Sequence, residues 1–584
     1  MERLLTILGL IILSFSNGTA RPNILFIAVD DLRPSLGCYG DPIAHTPHID
    51  KLAAQGVQFN RAYCQVAVCN PSRASLMTGQ RPDKLGVWTL PIHFREAKPN
   101  AITIPQWFRR SGYTAVSHGK IYHNPTPDPQ SWSEPIRSLP SLPDPYPEGT
   151  REQIRKVAAQ LPAKDWRKNS LRPPSTAAPN LPDDQLIDGA QTNLAIEDLK
   201  RLAKKEDPFF LAMGYIRPHL AWVAPKKYWD LYDPTTLPVL EEQIITPNTP
   251  PYALHNNSEL THYSDLIDFP RPWHDQTISS EKARSLMHGY YACVSYIDAQ
   301  IGRLLDTVVE EGLADNTIIV LWSDHGWKLG EYRGWGKMTN YEIDARVPLI
   351  ISAPNLQTQG QKTDSLAELL DLFPTLCDLA DVEKPNFIDG TSLAPILNDP
   401  STKVHKGAVN QYYRGNSKGK HMGYALRTDS YRFIEWRDFE TGEVTAKELY
   451  DHRTEHSETH NIAEEVKPEL IEKLTTQLLE THPRKPLSLI PTVHASAEPR
   501  TLPTKLTFKN NYSSDVLIST ISSKGHRKRP SKRLTPGKKL TYNAKLGGVF
   551  VVESVDGSLY QIHSPSYPER TIILEQKIDS SERE

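Results

Sequence analysis

Continuous apolar runs that end in acid are the first pattern along the chain. Residues 22–30, Pro-Asn-Ile-Leu-Phe-Ile-Ala-Val-Asp, are almost wholly hydrophobic and close on Asp30 and Asp31. A run apolar at every position predicts a parallel strand buried on both faces. Thr317–Trp322 repeats the pattern and leads to Asp324 and His325. Thr114–Ser117, Pro208–Tyr215 and Val347–Ser352 predict three further strands. Helical spacing predicts helices over 48–58, 102–112 and 185–204, and a long amphipathic one over 281–312. Strands alternating with helices imply an α/β sheet covered on both faces, with ligands at the carboxyl ends of the strands.

The rest of the chain is patterned differently. Residues 124–182 are rich in Pro with little periodicity. They read either as a long ordered loop region beside the substrate or as a passive surface insertion. Residues 405–481 hold shorter strand-like runs and a helix near Pro468–Leu479, predicting a smaller sheet with a packing helix. After a Pro-rich break, short β runs at Leu506–Phe508, Val516–Ile521, Lys539–Tyr542, Val549–Val555 and Thr571–Leu574 predict a separate small β-sandwich. Its order of strands and turns resembles the β domain of the von Hippel–Lindau protein, which implies only a fold. The basic run Arg527–Arg533 within it reads as a solvated loop, or as a contact for a polyanionic glycan. The expected organisation is 1–20, 21–400, 401–482, a linker over 483–503, and 504–584.

Composition narrows the class. At 584 residues the chain is too long for one core. A formal net charge of -2 gives neither a basic field for nucleic acid nor an acidic coat. Arg3, the apolar run Leu4–Phe15 and the small residues up to Ala20 predict a secretory signal, and hence a secreted or periplasmic protein with no stable membrane insertion. Five cysteines are few and odd in number, so disulfides do not hold the fold together, although Cys38 and Cys64 could pair. The odd count asks which cysteine is special.

Asp30, Asp31 and Asp324 lie at the ends of strands that one sheet can bring together. Three ionised carboxylates share a site only if a cation neutralises them. Oxygen-rich ligands favour Ca²⁺ or Mg²⁺. The alternative is a set of polar strand ends in water. Cys69-Asn70-Pro71-Ser72-Arg73, followed by Ala-Ser-Leu-Met-Thr-Gly, changes the weighting. This stretch resembles the signature of the type I, formylglycine-dependent sulfatases. The resemblance spans roughly residues 21–481 and is nearest the iduronate-2-sulfatase branch. It continues through His118-Gly-Lys-Ile-Tyr-His123, Gly214-Tyr-Ile-Arg-Pro-His219, Tyr291-Ala-Cys-Val-Ser-Tyr-Ile-Asp298, Ser323-Asp-His-Gly-Trp-Lys-Leu-Gly-Glu331, Trp335-Gly-Lys337 and Arg346-Val-Pro-Leu349.

That resemblance implies an alkaline-phosphatase-like α/β fold: a large mixed sheet between helices, then a smaller antiparallel sheet. It implies that a maturation enzyme converts Cys69 to formylglycine. It implies one Ca²⁺ held by Asp30, Asp31, Asp324, His325 and an oxygen of the modified Cys69. Arg73 would stabilise the hydrated aldehyde, and Lys120, His219 and Lys337 would contact sulfate. One hydroxyl of that hydrate would attack sulfur, with His219 or Lys337 protonating the leaving oxygen. His123 would then deprotonate the second hydroxyl, releasing sulfate. A thiolate lacks that second hydroxyl, so the cysteine must be changed first. The implied substrate is a sulfated sugar or polysaccharide. A phosphodiesterase or phosphonate monoester hydrolase on the same scaffold is the rival, and a non-catalytic glycan-binding protein is a third reading. Trp88 and Trp335 lie near these motifs and could stack on sugar rings or pack in the core.

Overall fold

The computed structural model describes residues 21–487 apart from 125–126, 241–244, 273–276, 417–418 and 455–457; beyond these it describes the strands of 503–574 and few of their connections. The expected signal segment, and most of the expected linker, lie outside the described residues. Among those described, no helix is long and apolar enough to cross a membrane.

Seven strands make the main sheet. In chain order they are β1 Asn23–Val29, β2 Val57–Tyr63, β3 Thr114–Gly119, β4 Phe209–Tyr215, β5 Thr317–Ser323, β6 Arg346–Ser352 and β7 Lys362–Glu368. Their order across the sheet is β7-β2-β6-β5-β1-β4-β3. β1 runs parallel to both β4 and β5, whereas β6 is antiparallel to β2 and β5, so the sheet is mixed. β1 is apolar throughout because both faces are covered. Ile24, Phe26 and Ala28 pack into one core, and Leu25, Ile27 and Val29 into the other.

Among the described residues the principal helices are α1 Pro47–Gln55, α2 Cys69–Thr78, α3 Ile104–Arg110, α4 Thr150–Gln160, α5 Ile187–Leu202, α6 Ser280–Glu310, α7 Leu372–Leu379 and α8 Pro468–Thr481. α2, α3 and α7 contribute to the first core, and α1, α5 and α6 to the second. Ser279 caps α6, its side chain accepting from the Lys282 amide.

Several expectations are corrected. The helix expected over 48–58 stops at Gln55, because Gly56 ends it and β2 begins one residue later. β7 and α2 carried no clear periodic signal. Residues 124–182 are not loop alone, since α4 lies inside them. Cys38 and Cys64 are both free thiols. The basic run Arg527–Arg533 lies in a strand, Arg527–Leu534, rather than a loop.

A four-stranded antiparallel sheet follows: β8 Ala408–Asn416, β9 Gly419–Arg427, β10 Tyr431–Asp438 and β11 Val444–Asp451. α8 packs on it through Leu474 and Leu478. Beyond residue 503 the strands form one three-stranded and one four-stranded sheet.

A buried ionic cluster joins β8 to the main sheet. Glu368, at the end of β7, accepts two bonds from Arg81 at 3.1 and 2.7 Å and one from the Val409 amide at 2.7 Å. His405 Nε2 lies 2.8 Å from Asp371 Oδ2. Burial opposes the charge on His405, but Asp371 and Glu368 outweigh it and push its pKa up to about 9. A folded-state pKa above the unfolded value of about 6.5 means stability that is full below that value and lost as pH rises through about 9. His405→Gln is therefore expected to lower the apparent Tm at about pH 6, by the equivalent of about 1–2 kcal/mol. The gap from wild type should close above about pH 9.5 in thermal melts. A gap independent of pH would rule out the ionic role.

Candidate active site

Strand register brings the acidic ends together. Val29 pairs with Ser323, so Asp30–Asp31 and Asp324–His325 leave the sheet side by side. Val29 also pairs with Tyr215, and Gly214 with Gly119. His219 and Lys120 therefore emerge at the same edge. Asp31 turns there with φ 60°, a left-handed conformation uncommon outside glycine and often found at functional sites.

Cys69 opens α2, whose ten residues are all buried. Its Sγ lies 3.3 Å from His325 Nε2, 3.6 Å from Lys337 Nζ and 3.8 Å from Lys120 Nζ. One turn along, Arg73 donates from Nε to Asp324 Oδ2 at 2.8 Å and from Nη2 to Asp30 Oδ1 at 3.2 Å. Its Nη1 also bonds the Lys120 carbonyl. Lys120 Nζ pairs with Asp30 Oδ2, and Lys337 Nζ lies 2.6 Å from Asp31 Oδ1. His325 Nδ1 is 3.4 Å from Asp31 Oδ1, and its Nε2 is 3.4 Å from Asp324 Oδ2. Asp30, Asp31, Cys69 and His325 each place a donor atom within 4.8 Å of the others.

Burial and charge set the protonation of these groups. Burial raises the Asp30 carboxyl, but Lys120 and Arg73 overcome it and hold the group well below the usual range. For Asp31 burial outweighs Lys337, and for Asp324 it outweighs Arg73, so both are raised. His325 is pushed up to about 9, Asp324 and Cys69 prevailing over burial. The Cys69 thiol is lowered to about 7 because Lys120, Lys337 and His325 together exceed burial and Asp30. His123 is driven down to about 3 by burial first and Lys120 second, which keeps it neutral. His219 is raised, since the carboxylates of Asp31 and Asp30 outweigh burial and Lys337.

All ten residues singled out in the sequence thus lie around one buried point. Trp88 and Trp335 do not offer stacking faces. Both are buried in cores, with Trp88 Nε1 donating to Asp83 at 2.8 Å. One residue of the site escaped the sequence reading. Glu259 Oε1 lies 3.1 Å from His219 Nε2, and its Oε2 lies 3.6 Å from Lys337 Nζ. It sits in a Pro-rich stretch without periodicity, where no motif marks it. Among the described residues, two other acid–histidine clusters, Glu342/His452/Glu458 and Glu368/Asp371/His405, already pair with Arg432 and Arg81. Their charge is met without an ion.

Comparison with known proteins gives one consistent picture. The family model described as Sulfatase matches residues 22–382, and the N-sulphoglucosamine sulphohydrolase C-terminal model matches residues 330–484. Iduronate 2-sulfatase of Homo sapiens is 32% identical over 511 residues, covering 75% of this chain and 90% of that one. A phosphonate monoester hydrolase from Silicibacter pomeroyi shares the fold at a TM-score of 0.60 and 23% identity, covering 79% of this chain and 95% of that one. A protein solved with its substrate D-glucosamine-2-N,6-O-disulfate does so at 0.57 and 24%, covering 80% and 99%.

Two glycines set the position of Lys120. A Cβ on Gly214 would lie 2.2 Å from the Lys120 carbonyl oxygen, and one on Gly119, at φ +68°, would lie 2.0 Å from the Gly214 oxygen. Neither contact can be relieved by a side-chain rotation, because both partners are backbone. Gly214→Ala is expected to displace Lys120 by about an ångström and lower kcat/KM about a hundred-fold, with the chain still folded by circular dichroism. Near-wild-type turnover would show that the close approach is not needed.

Proposed function

The chain belongs to the sulfatase family and hydrolyses sulfate esters, and from that premise we propose that it acts on a sulfated sugar or polysaccharide through Cys69 in its formylglycine form. The observation that carries this reading is the ring of buried cations around Cys69: Lys120 and Lys337 within 3.8 Å of its Sγ, with Arg73 one turn away. Such a ring attracts an anionic group and offsets charge that develops as the ester bond breaks.

The residues also fit a hard divalent cation. Asp31 Oδ2 is buried with no hydrogen-bond partner, and burial lifts the pKa of both Asp31 and Asp324 despite the cations beside them. A divalent ion would satisfy that oxygen and displace those protons. Ca²⁺ held by Asp30, Asp31, Asp324 and His325 would keep the carboxylates ionised and polarise the oxygen borne by the modified Cys69. A nitrogen donor is unusual for calcium, which makes His325 the atypical member.

The chain's own groups then divide the work. Lys120 and Lys337 hold sulfate oxygens. Arg73 fixes Asp30, Asp324 and the Lys120 carbonyl in one frame. His219 gives its Nε2 proton to the leaving sugar oxygen, and neutral His123 takes a proton from the hydroxyl on residue 69. Identity to iduronate 2-sulfatase over most of both chains supports a uronate 2-sulfate among the candidate sugars. The run from Arg3 to Ala20 supports a secreted or periplasmic location, where such polymers are met.

Desulfation of a panel of defined sulfated oligosaccharides, run beside phosphate diesters and phosphonate monoesters, tests the reading. Sulfated sugars should be turned over preferentially, and a strong preference for the phosphorus esters would overturn it. The peptide spanning Cys69 should weigh about 18 Da less than the thiol form, by replacement of thiol with carbonyl. Cys69→Ala should lose at least about a thousand-fold in kcat. An unmodified thiol in active enzyme would end the formylglycine proposal.

Removing the ion has its own readout. Chelation should lower the apparent Tm and added calcium restore it, with about 2.7 kcal/mol gained at a hundred times Kd. Asp31→Asn should abolish this response. Melting indifferent to chelator and calcium would exclude a structural calcium.

A further inference from the structure

We propose that Glu259 is a positioning residue of this site: its carboxylate brackets His219 and Lys337 and keeps a proton on His219 Nε2 for delivery to the leaving sugar oxygen. The inference deepens the reading of His219 as the proton donor and rests on it.

The hydrogen bonds of His219 fix its protonation. Nδ1 lies 2.6 Å from the Leu220 carbonyl oxygen. A carbonyl only accepts, so Nδ1 carries hydrogen. Nε2 lies 3.1 Å from Glu259 Oε1. A neutral ring protonated on Nδ1 would aim a lone pair at that carboxylate, whereas an imidazolium donates to both partners. Glu259 is itself kept ionised: burial opposes its charge, but Lys337 and His219 hold its pKa well below the usual range.

The bracket spans two cations. The second oxygen of Glu259 is 3.6 Å from Lys337 Nζ, which is bound to Asp31 Oδ1 at 2.6 Å. Asp31 and Asp30 already pair with Lys337 and Lys120. Glu259 is the carboxylate in hydrogen-bond contact with the ring. Its loop is anchored rather than loose. Asn257 Nδ2 donates to the Pro270 and Arg333 carbonyls at 3.0 and 3.1 Å, and its Oδ1 accepts from the Trp335 amide at 2.9 Å. That amide lies two residues before Lys337, so one loop sets the spacing of both cations.

In the transfer, the N–H bond at Nε2 breaks as an O–H bond forms on the leaving alkoxide. His219 is left neutral beside Glu259 and regains its proton from water. Glu259 stays ionised throughout and does not touch the reacting atoms.

The test uses the full chain and a sulfated sugar that wild type hydrolyses. Glu259→Gln keeps shape but loses charge. It should lower kcat about ten-fold or more at about pH 8 while KM changes less than about three-fold, and the alkaline limb of the kcat profile should move to lower pH. Glu259→Asp should bring that limb back toward its wild-type position. Wild-type kcat in Glu259→Gln, or a loss uniform across pH, would overturn the proposal. Nitrogen-15 spectra of histidine-labelled protein give a readout without turnover, the His219 signals being identified by their loss in His219→Asn. Both ring nitrogens should be protonated at neutral pH in wild type, and one should be bare in Glu259→Gln. A singly protonated His219 in wild type would sink the inference. Absence of any sulfate ester hydrolysis by wild type would instead sink the functional reading and leave the spectra to judge Glu259.

Discussion

Three carboxylates, Asp30, Asp31 and Asp324, stand fully buried at one sheet edge, and the site is organised around meeting their charge. Isolated in a low-dielectric interior they would take up protons or unfold the edge. Arg73 bridges Asp30 and Asp324, Lys120 joins Asp30, and Lys337 joins Asp31. The compensation is incomplete, since Asp31 and Asp324 remain raised and Asp31 Oδ2 has no hydrogen-bond partner. The same imbalance that burdens the fold makes the edge receptive to a divalent ion.

The mixed topology supplies what a purely parallel sheet would not. β1, flanked by parallel β4 and β5, concentrates three strand ends and their following loops at one rim. β6 runs antiparallel beside β5, and the short segment before it carries Lys337 into the same rim. α2 adds Cys69 and Arg73 one turn apart from a single rigid helix. Each group is held by backbone of regular structure or by a loop tied down at several points, which is how buried charges keep sub-ångström spacing.

How much of this was legible follows from the kind of signal each element emits. β1, β4 and β5 announce themselves because burial on both faces demands unbroken apolar runs, and the acids after β1 and β5 stand out against them. β2, Val-Gln-Phe-Asn-Arg-Ala-Tyr, and β7, Lys-Thr-Asp-Ser-Leu-Ala-Glu, lie at the far side of the sheet and mix polar with apolar positions. Their strand character comes from pairing, β7 with β2 and β2 with β6, rather than from local pattern. The strand Arg527–Leu534 was hidden by its charge and its internal Pro530. Within the site, all ten early residues sit in or beside motifs or strand ends that mark them. Glu259 does not, because its function depends on where a loop is pinned, and Asn257 does the pinning through contacts distant in sequence.

The burial of α2 has a consequence for timing in the life of the chain. Cys69 is 2% exposed, and every residue of its helix is packed inside the core. Another macromolecule could not grip the flanking Pro71 and Arg73 without pulling the helix out of the protein. Arg73 alone is held by two carboxylates and two carbonyls. Any enzyme that alters Cys69 by reading its neighbours must therefore meet the segment while it is still extended. Folding then acts as a deadline, after which the identity of residue 69 is sealed.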